Sequence, residues 1–94
     1  MRDLFSDAGQ GKRKAIERLL QAYPRRRFVL VGDSGEGDPE IYGAIARQFP
    51  GRVSAIFIRD VTDEAADGPR YRQAFAGLES VTWQLFTDPA VLPR

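Results

Sequence analysis

Apolar residues recur along the chain with helical and extended periods in turn. Ile16, Leu19, Leu20 and Tyr23 stand at i, i+3, i+4 and i+7, one face of an α-helix, and predict a helix beginning at Lys12. Pro24 ends it, because proline disfavours helical geometry in the residue before it. Residues 1–11, with Gly9 and Gly11 among small polar residues, read as a loop. Phe28-Val29-Leu30-Val31 is an unbroken apolar run and predicts a strand buried on both faces, as in a parallel sheet covered by helices.

Gly32 to Gly37 follow as a polar loop, and Asp38-Pro39-Glu40 opens a second helix. There Asp38 can cap free amides, Pro39 suits the first turn, and Glu40 complements the positive end of the helix dipole. Ile41, Tyr42, Ile45 and Phe49 form its apolar face before Pro50-Gly51 stops it. Val53–Ile58 is a second apolar strand, with Arg59-Asp60 at its end. Asp63–Gly68 is an acidic loop. Tyr71, Phe75 and Leu78 suit a short helix, and Val81, Trp83 and Leu85 alternate as a partly exposed strand. The order helix, strand, helix, strand, helix, strand predicts an α/β domain with parallel strands.

Composition narrows the chemistry. Ninety-four residues allow one small domain of marginal stability. Fourteen basic against 13 acidic residues give a net charge of +1, without the basic excess of a nucleic-acid binder. Cysteine and histidine are both absent, which removes disulfides, thiolate and imidazole metal sites, and Ser-His catalysis. A metal held by these residues has only oxygen ligands, which favours Mg²⁺ over zinc. No apolar run approaches the ~20 residues that span a bilayer, and Met1 to Lys14 has no signal-peptide core, so the expected location is the cytoplasm.

The chemistry-bearing segment is the loop after Val31. In open α/β sheets, ligands bind beyond the C-terminal ends of the strands. This loop carries Asp33, Glu36 and Asp38 within six positions, with three glycines that let backbone approach a ligand. Carboxylates beside a helix N-terminus suit Mg²⁺-assisted phosphoryl chemistry. A strand-to-helix turn also favours Gly, Asp, Ser and Pro for geometric reasons alone, and a flavodoxin-like domain has a similar loop.

Several segments together resemble a known family. Lys12, Ile16, Leu19-Leu20 and Tyr23-Pro24 are followed by Phe28-Val29-Leu30-Val31-Gly32-Asp33-Ser34-Gly35-Glu36-Gly37-Asp38-Pro39-Glu40-Ile41-Tyr42. Phe49-Pro50-Gly51-Arg52-Val53 and Ala55-Ile56-Phe57-Ile58-Arg59-Asp60-Val61 follow in order. This succession resembles the catalytic domain of the actin-patch-type phosphatidate phosphatases, lipin-related members of the haloacid-dehalogenase superfamily. The tail Val81–Phe86 is similar to that family's last strand. The resemblance implies a Rossmann-like, three-layer fold and Mg²⁺-dependent hydrolysis of phosphatidate to diacylglycerol. It also implies an Asp nucleophile, an acid-base Asp two residues later, a charge-stabilising lysine, and a Gly-Asp-x-x-x-Asp loop that helps hold the metal. Carried over by position, Asp33 is the metal-associated carboxylate, Asp38 the second acid of the loop, and Lys12 the lysine, with Lys14 as the alternative.

The departure from the family is as informative as the match. The family's Asp-x-Asp-x-Thr motif lies upstream of the lysine helix, and no Asp-x-Asp occurs in the 94 residues. The resemblance therefore implies one partial domain over 1–94, its C-terminal half, inactive alone. The implied partners are a phosphomonoester such as phosphatidate, bound by the complete domain, and an upstream half-domain or a second copy. The competing reading is a non-catalytic α/β module retaining an Mg²⁺ or phosphate pocket. Arg25-Arg26-Arg27 could touch anionic lipid headgroups as a peripheral membrane contact, or form a solvated turn.

Overall fold

Pro24, Pro50-Gly51 and Gly68-Pro69 punctuate the chain, and the folded elements lie between these breaks. The computed structural model describes residues 4–92, with side chains for 11–90 and 92. The elements are α1 (Leu4–Ala22), β1 (Phe28–Asp33), α2 (Asp38–Gln48), β2 (Val53–Arg59), α3 (Pro69–Ala74) and β3 (Thr82–Phe86), followed by a 3₁₀ turn (Pro89–Val91). The strands form one parallel sheet in the order β1-β2-β3. Leu30 lies beside Ile56, and Ile56 beside Trp83.

Sequential strand order with right-handed crossovers places α2 and α3 on one face of the sheet. The helix-covered core contains Leu20 from α1, Leu30 from β1, Tyr42 and Ile45 from α2, Ile56 and Ile58 from β2, and Tyr71 from α3. Trp83 and Leu85 pack at its margin, and the Trp83 ring lies 4.7 Å from Phe75 and 5.9 Å from Tyr71. Helices α2 and α3 meet at backbone distance. A Cβ on Gly43 would stand 1.9 Å from the Ala74 carbonyl oxygen, so only glycine permits the approach. Arg47 of α2 reinforces it, donating to the carbonyls of Gln73, Ala74 and Ala76 at the end of α3. Arg52 does the same for α1, donating to the carbonyl of Leu20 in its last turn and to those of Tyr23 and Arg26 just beyond it.

Four expectations need correction. Within the described residues, 4–11 are helix rather than loop, with Gly9 and Gly11 inside α1. Each glycine costs about 1 kcal/mol of helix propensity, which packing of the Ile16–Leu20 stripe on the core offsets. On α1, only Ile16 and Leu20 of the predicted stripe turn inward, while Leu19 and Tyr23 are half exposed. Strand β1 is covered on one face only: Leu30 is 7% exposed, but Val29 and Val31 are 48% and 49% exposed. Among the described strands the order shows no reversal that would send a crossover helix to the second face. Finally, Asp38 does not cap α2. Gly37 is the N-cap without a side-chain bond, and Asp38 is the first helical residue, its carboxylate aimed back at β1.

Candidate active site

Gly32 is where the site begins. A Cβ there would lie 2.3 Å from Asp38 Oδ2 and 2.7 Å from the Tyr42 hydroxyl, so the missing side chain makes room for both. Tyr42 donates to the Val31 carbonyl at 2.9 Å. Burial, reinforced by the charge of Asp38, pushes its phenol up to about 12, so it stays a donor at any ordinary pH. Asp38 is 2% exposed, and both its oxygens are occupied. Oδ2 accepts from the Asp33 backbone amide at 2.9 Å, and Oδ1 accepts from the Lys12 ammonium at 2.6 Å.

Lys12 projects from α1 across 26 residues of sequence to reach that carboxylate, and its Nζ also lies 3.3 Å from Glu36 Oε2. Burial alone would lower the lysine's pKa. The hydrogen bond to Asp38 and that residue's negative charge outweigh it, and the net shift is upward. Lys12 is therefore a fixed cation here. Lys14, two positions on, is exposed and makes no ion pair among the described residues.

Asp33 closes β1 and folds its loop on itself, accepting the Glu36 amide at 3.1 Å through Oδ1. Oxygens of Asp33, Glu36 and Asp38 all lie within 4.8 Å of one another. With Asp38 already engaged twice, the oxygens without a partner among the described residues belong to Asp33 and Glu36. Three carboxylates and one ammonium leave a net charge of −2, and every donor is a hard oxygen. That donor set fits a divalent ion such as Mg²⁺, which keeps several waters and takes few protein ligands.

Sequence reasoning missed the groups that hold this loop from outside. Ser34 is 2% exposed, and its Oγ accepts from the amides of Val61 and Thr62 and shares a 2.8 Å hydrogen bond with Thr62 Oγ1. Arg70, at the start of α3, donates to the carbonyls of Ser34 and Glu36 and to the carboxylates of Glu40 and Glu64. Its hydrogen bond holds Glu40 below the usual carboxylate range, and the Thr62 hydroxyl, followed by Arg70, does the same for Glu64. A lone arginine after Gly68-Pro69 carries no spacing signal, since its partners lie six to 36 residues away.

Arg25–Arg27 are exposed and precede β1, whereas the acidic loop follows it. Six residues of strand separate the two by roughly 20 Å, so the arginine run is not part of the site.

The model of the family described as phosphatidate phosphatase APP1, catalytic domain, matches residues 1–60. The phosphatidate phosphatase APP1 of Saccharomyces cerevisiae is 37% identical over 68 residues, which are 72% of this chain and 12% of that protein. An uncharacterized protein of Schizosaccharomyces pombe, C29B5.04c, is 36% identical over 64 residues, or 68% of this chain and 11% of its own length. The chain thus spans about an eighth of the yeast relative it matches. No solved structure matches. With the family model covering residues 1–60, and so Lys12, the acidic loop and β2, the chain belongs to the APP1-type phosphatidate phosphatase catalytic-domain family.

Proposed function

We propose that this chain supplies the lysine and metal-loop part of a Mg²⁺-dependent phosphatidate phosphatase domain with a haloacid-dehalogenase-type, three-layer fold. The observation that carries the reading is the seating of Lys12 on Asp38, 2.6 Å away, beside the open carboxylates of Asp33 and Glu36 at the C-terminal end of β1. Asp33 is the principal metal ligand, and Glu36 lies within reach of the same ion. Asp38 holds the Asp33 amide and the Lys12 ammonium, and contributes to the metal site secondarily. Lys12 keeps a positive charge next to the ion and steadies a phosphoryl group bound there. Mg²⁺, when bound, supplies charge neutralisation at the phosphoryl oxygens. The nucleophile comes from outside these 94 residues, which contain no Asp-x-Asp. The substrate is a phosphomonoester on a lipid, met in the complete domain. In this reading contact with that lipid is peripheral and the location cytoplasmic; no described helix is long and apolar enough to cross a membrane.

The absence of Asp-x-Asp also favours a second reading, a non-catalytic module retaining the metal pocket. Phosphate release separates the two. The purified chain should free no phosphate from phosphatidate or p-nitrophenyl phosphate with Mg²⁺, because metal and lysine without a nucleophile offer no covalent route. Placed behind a segment bearing Asp-x-Asp-x-Thr, it should support turnover, and Asp33→Asn should reduce that turnover about a hundredfold or more. Near-wild-type turnover in Asp33→Asn would overturn the metal assignment. A rebuilt domain that folds but never turns over would favour the second reading.

A further inference from the structure

Residues beyond the family match hold the loop that the match contains. The acidic loop has little internal support. Its own hydrogen bonds are those of Glu36 N–H to Asp33 and of Asp33 N–H to Asp38, and Gly35 and Gly37 flank Glu36. Two glycines beside the middle carboxylate give the loop many alternative backbone conformations. Something must select one, and the contacts identify it.

The Arg70 guanidinium lies across the loop from the side of α3. Nη1 donates to the Ser34 carbonyl at 2.7 Å, and Nη2 to the Glu36 carbonyl at 2.9 Å. These two carbonyls bracket Gly35. The remaining donors are used as well. Nε and Nη2 grip both oxygens of Glu40 at 2.9 and 3.0 Å, and Nη1 reaches Glu64 at 2.7 Å. Glu64 is tied in turn to Thr62, and Thr62 to Ser34, so the guanidinium is held in place by α2 and by the segment after β2. A planar fork with five donors can span two carbonyls and two carboxylates at once, whereas an ammonium cannot.

We propose that Arg70 is the positioning residue of the acidic loop. By fixing the Ser34 and Glu36 carbonyls, it sets the spacing of Asp33, Glu36 and Asp38 and thereby the affinity of the loop for a divalent cation. The cation part rests on the metal reading proposed above. The loop-holding part stands without it. Arg70 is not a catalytic residue, since it touches the loop backbone and not the ligand oxygens of Asp33 and Glu36.

The test uses the 94-residue chain and two readouts. Amide hydrogen exchange by NMR reads loop order with no metal present, and Mn²⁺-induced line broadening at residues 33–38 reads cation binding. In Arg70→Ala, the Glu36 and Asp33 amides should exchange about tenfold faster or more relative to the β2 amides, since charge-assisted bonds that held the loop are gone. The Mn²⁺ concentration for half-maximal broadening should rise by a similar factor. Arg70→Lys keeps the charge opposite Glu40 and Glu64 and so protects the fold, but it cannot reach both carbonyls. Its loop amides should loosen to within about threefold of Arg70→Ala while its melting temperature stays near wild type. Arg72→Ala, an exposed change on the same helix, should alter neither readout.

Loop amides that keep their wild-type rates relative to β2 in both variants would overturn the proposal. So would loop and β2 amides accelerating together in Arg70→Lys, because that describes a residue that merely stabilises the domain. Loop loosening without Mn²⁺ broadening in any protein, wild type included, would sustain the positioning role and overturn the metal reading instead.

Discussion

The two faces of strand β1 have similar apolar residues and opposite fates. On one, Leu30 is sealed beneath the helices with Ile56 and Ile58 of β2. On the other, Val29 and Val31 stand half exposed, although Phe57 of β2, the neighbour of Val31, is buried. The difference is one of topology, not of residue type, because strands joined in sequence by right-handed crossovers receive their helices on a single side. A strand apolar on both faces with a helix on only one is complementary to something further, either more of the domain or another polypeptide.

Matched truncations on the two faces should show the largest effect. Ile56→Ala removes a side chain with no exposed surface and leaves a cavity, and should cost about 2–5 kcal/mol. That is much of the stability available to so small a domain. Val29→Ala removes a side chain already half in water, and should cost about 0.5 kcal/mol or less. Denaturant titration of both proteins measures the contrast. Comparable losses would mean that the second face is buried in solution.

Association is the next effect in size. Strand β1 pairs only with β2 among the described strands, and its other edge carries no proline or inward charge to blunt it. Arg25 to Arg27 guard only its start. At micromolar concentration the chain should self-associate, and Val31→Lys, which places a charge on the open face beside that edge, should weaken association about tenfold or more. Analytical ultracentrifugation reads this directly. A wild-type chain that sediments as a clean monomer and melts cooperatively would show that the chain satisfies its own sheet.

These contrasts mark what the sequence could and could not convey. The run Phe28–Val31, the Gly-Asp loop and the start of α2 at Asp38-Pro39 were readable because each is local: a stretch of apolar residues, a turn composition, a proline in the first helical turn. One-sided burial was not, since four apolar residues in a row look the same in a central strand and in an edge strand awaiting a neighbour. Helix α1 was cut short at Lys12 because Gly9 and Gly11 read as punctuation, while the stripe that anchors the helix lies a turn or more downstream. Lys12, Asp33 and Asp38 were singled out by family resemblance, and the fold brings all three together. Glu36, Ser34 and Arg70 were left without roles. Their partnerships join segments as far as 36 residues apart, a distance over which spacing carries no information.

The smallest predicted effect concerns the one polar flaw on the covered face among the described residues. Tyr71 has no exposed surface, its ring stacks with Trp83 and Phe75, and its hydroxyl makes no hydrogen bond among the described residues. Burial raises its pKa. Ser34 lies near enough to temper the rise but not in hydrogen-bonding geometry. A buried hydroxyl without a partner earns no stability, so Tyr71→Phe at pH 7 should be neutral or stabilising by up to about 1 kcal/mol. In alkali the two proteins should part. Below the ordinary tyrosine value of 10.0 the phenol is neutral whether the chain is folded or not, and stability is fully present. As pH rises past that value, the unfolded chain releases the proton while the folded chain retains it, so ionisation favours unfolding. Wild type should therefore lose stability more steeply than Tyr71→Phe above pH 10. Tyr42, pushed up to about 12, adds the same decline to both proteins and cancels in the comparison. Parallel curves would mean that the Tyr71 phenol ionises as easily folded as unfolded. A loss above about 1 kcal/mol at pH 7 would mean that its hydroxyl is bonded after all, and that the covered face is better satisfied than its contacts indicate.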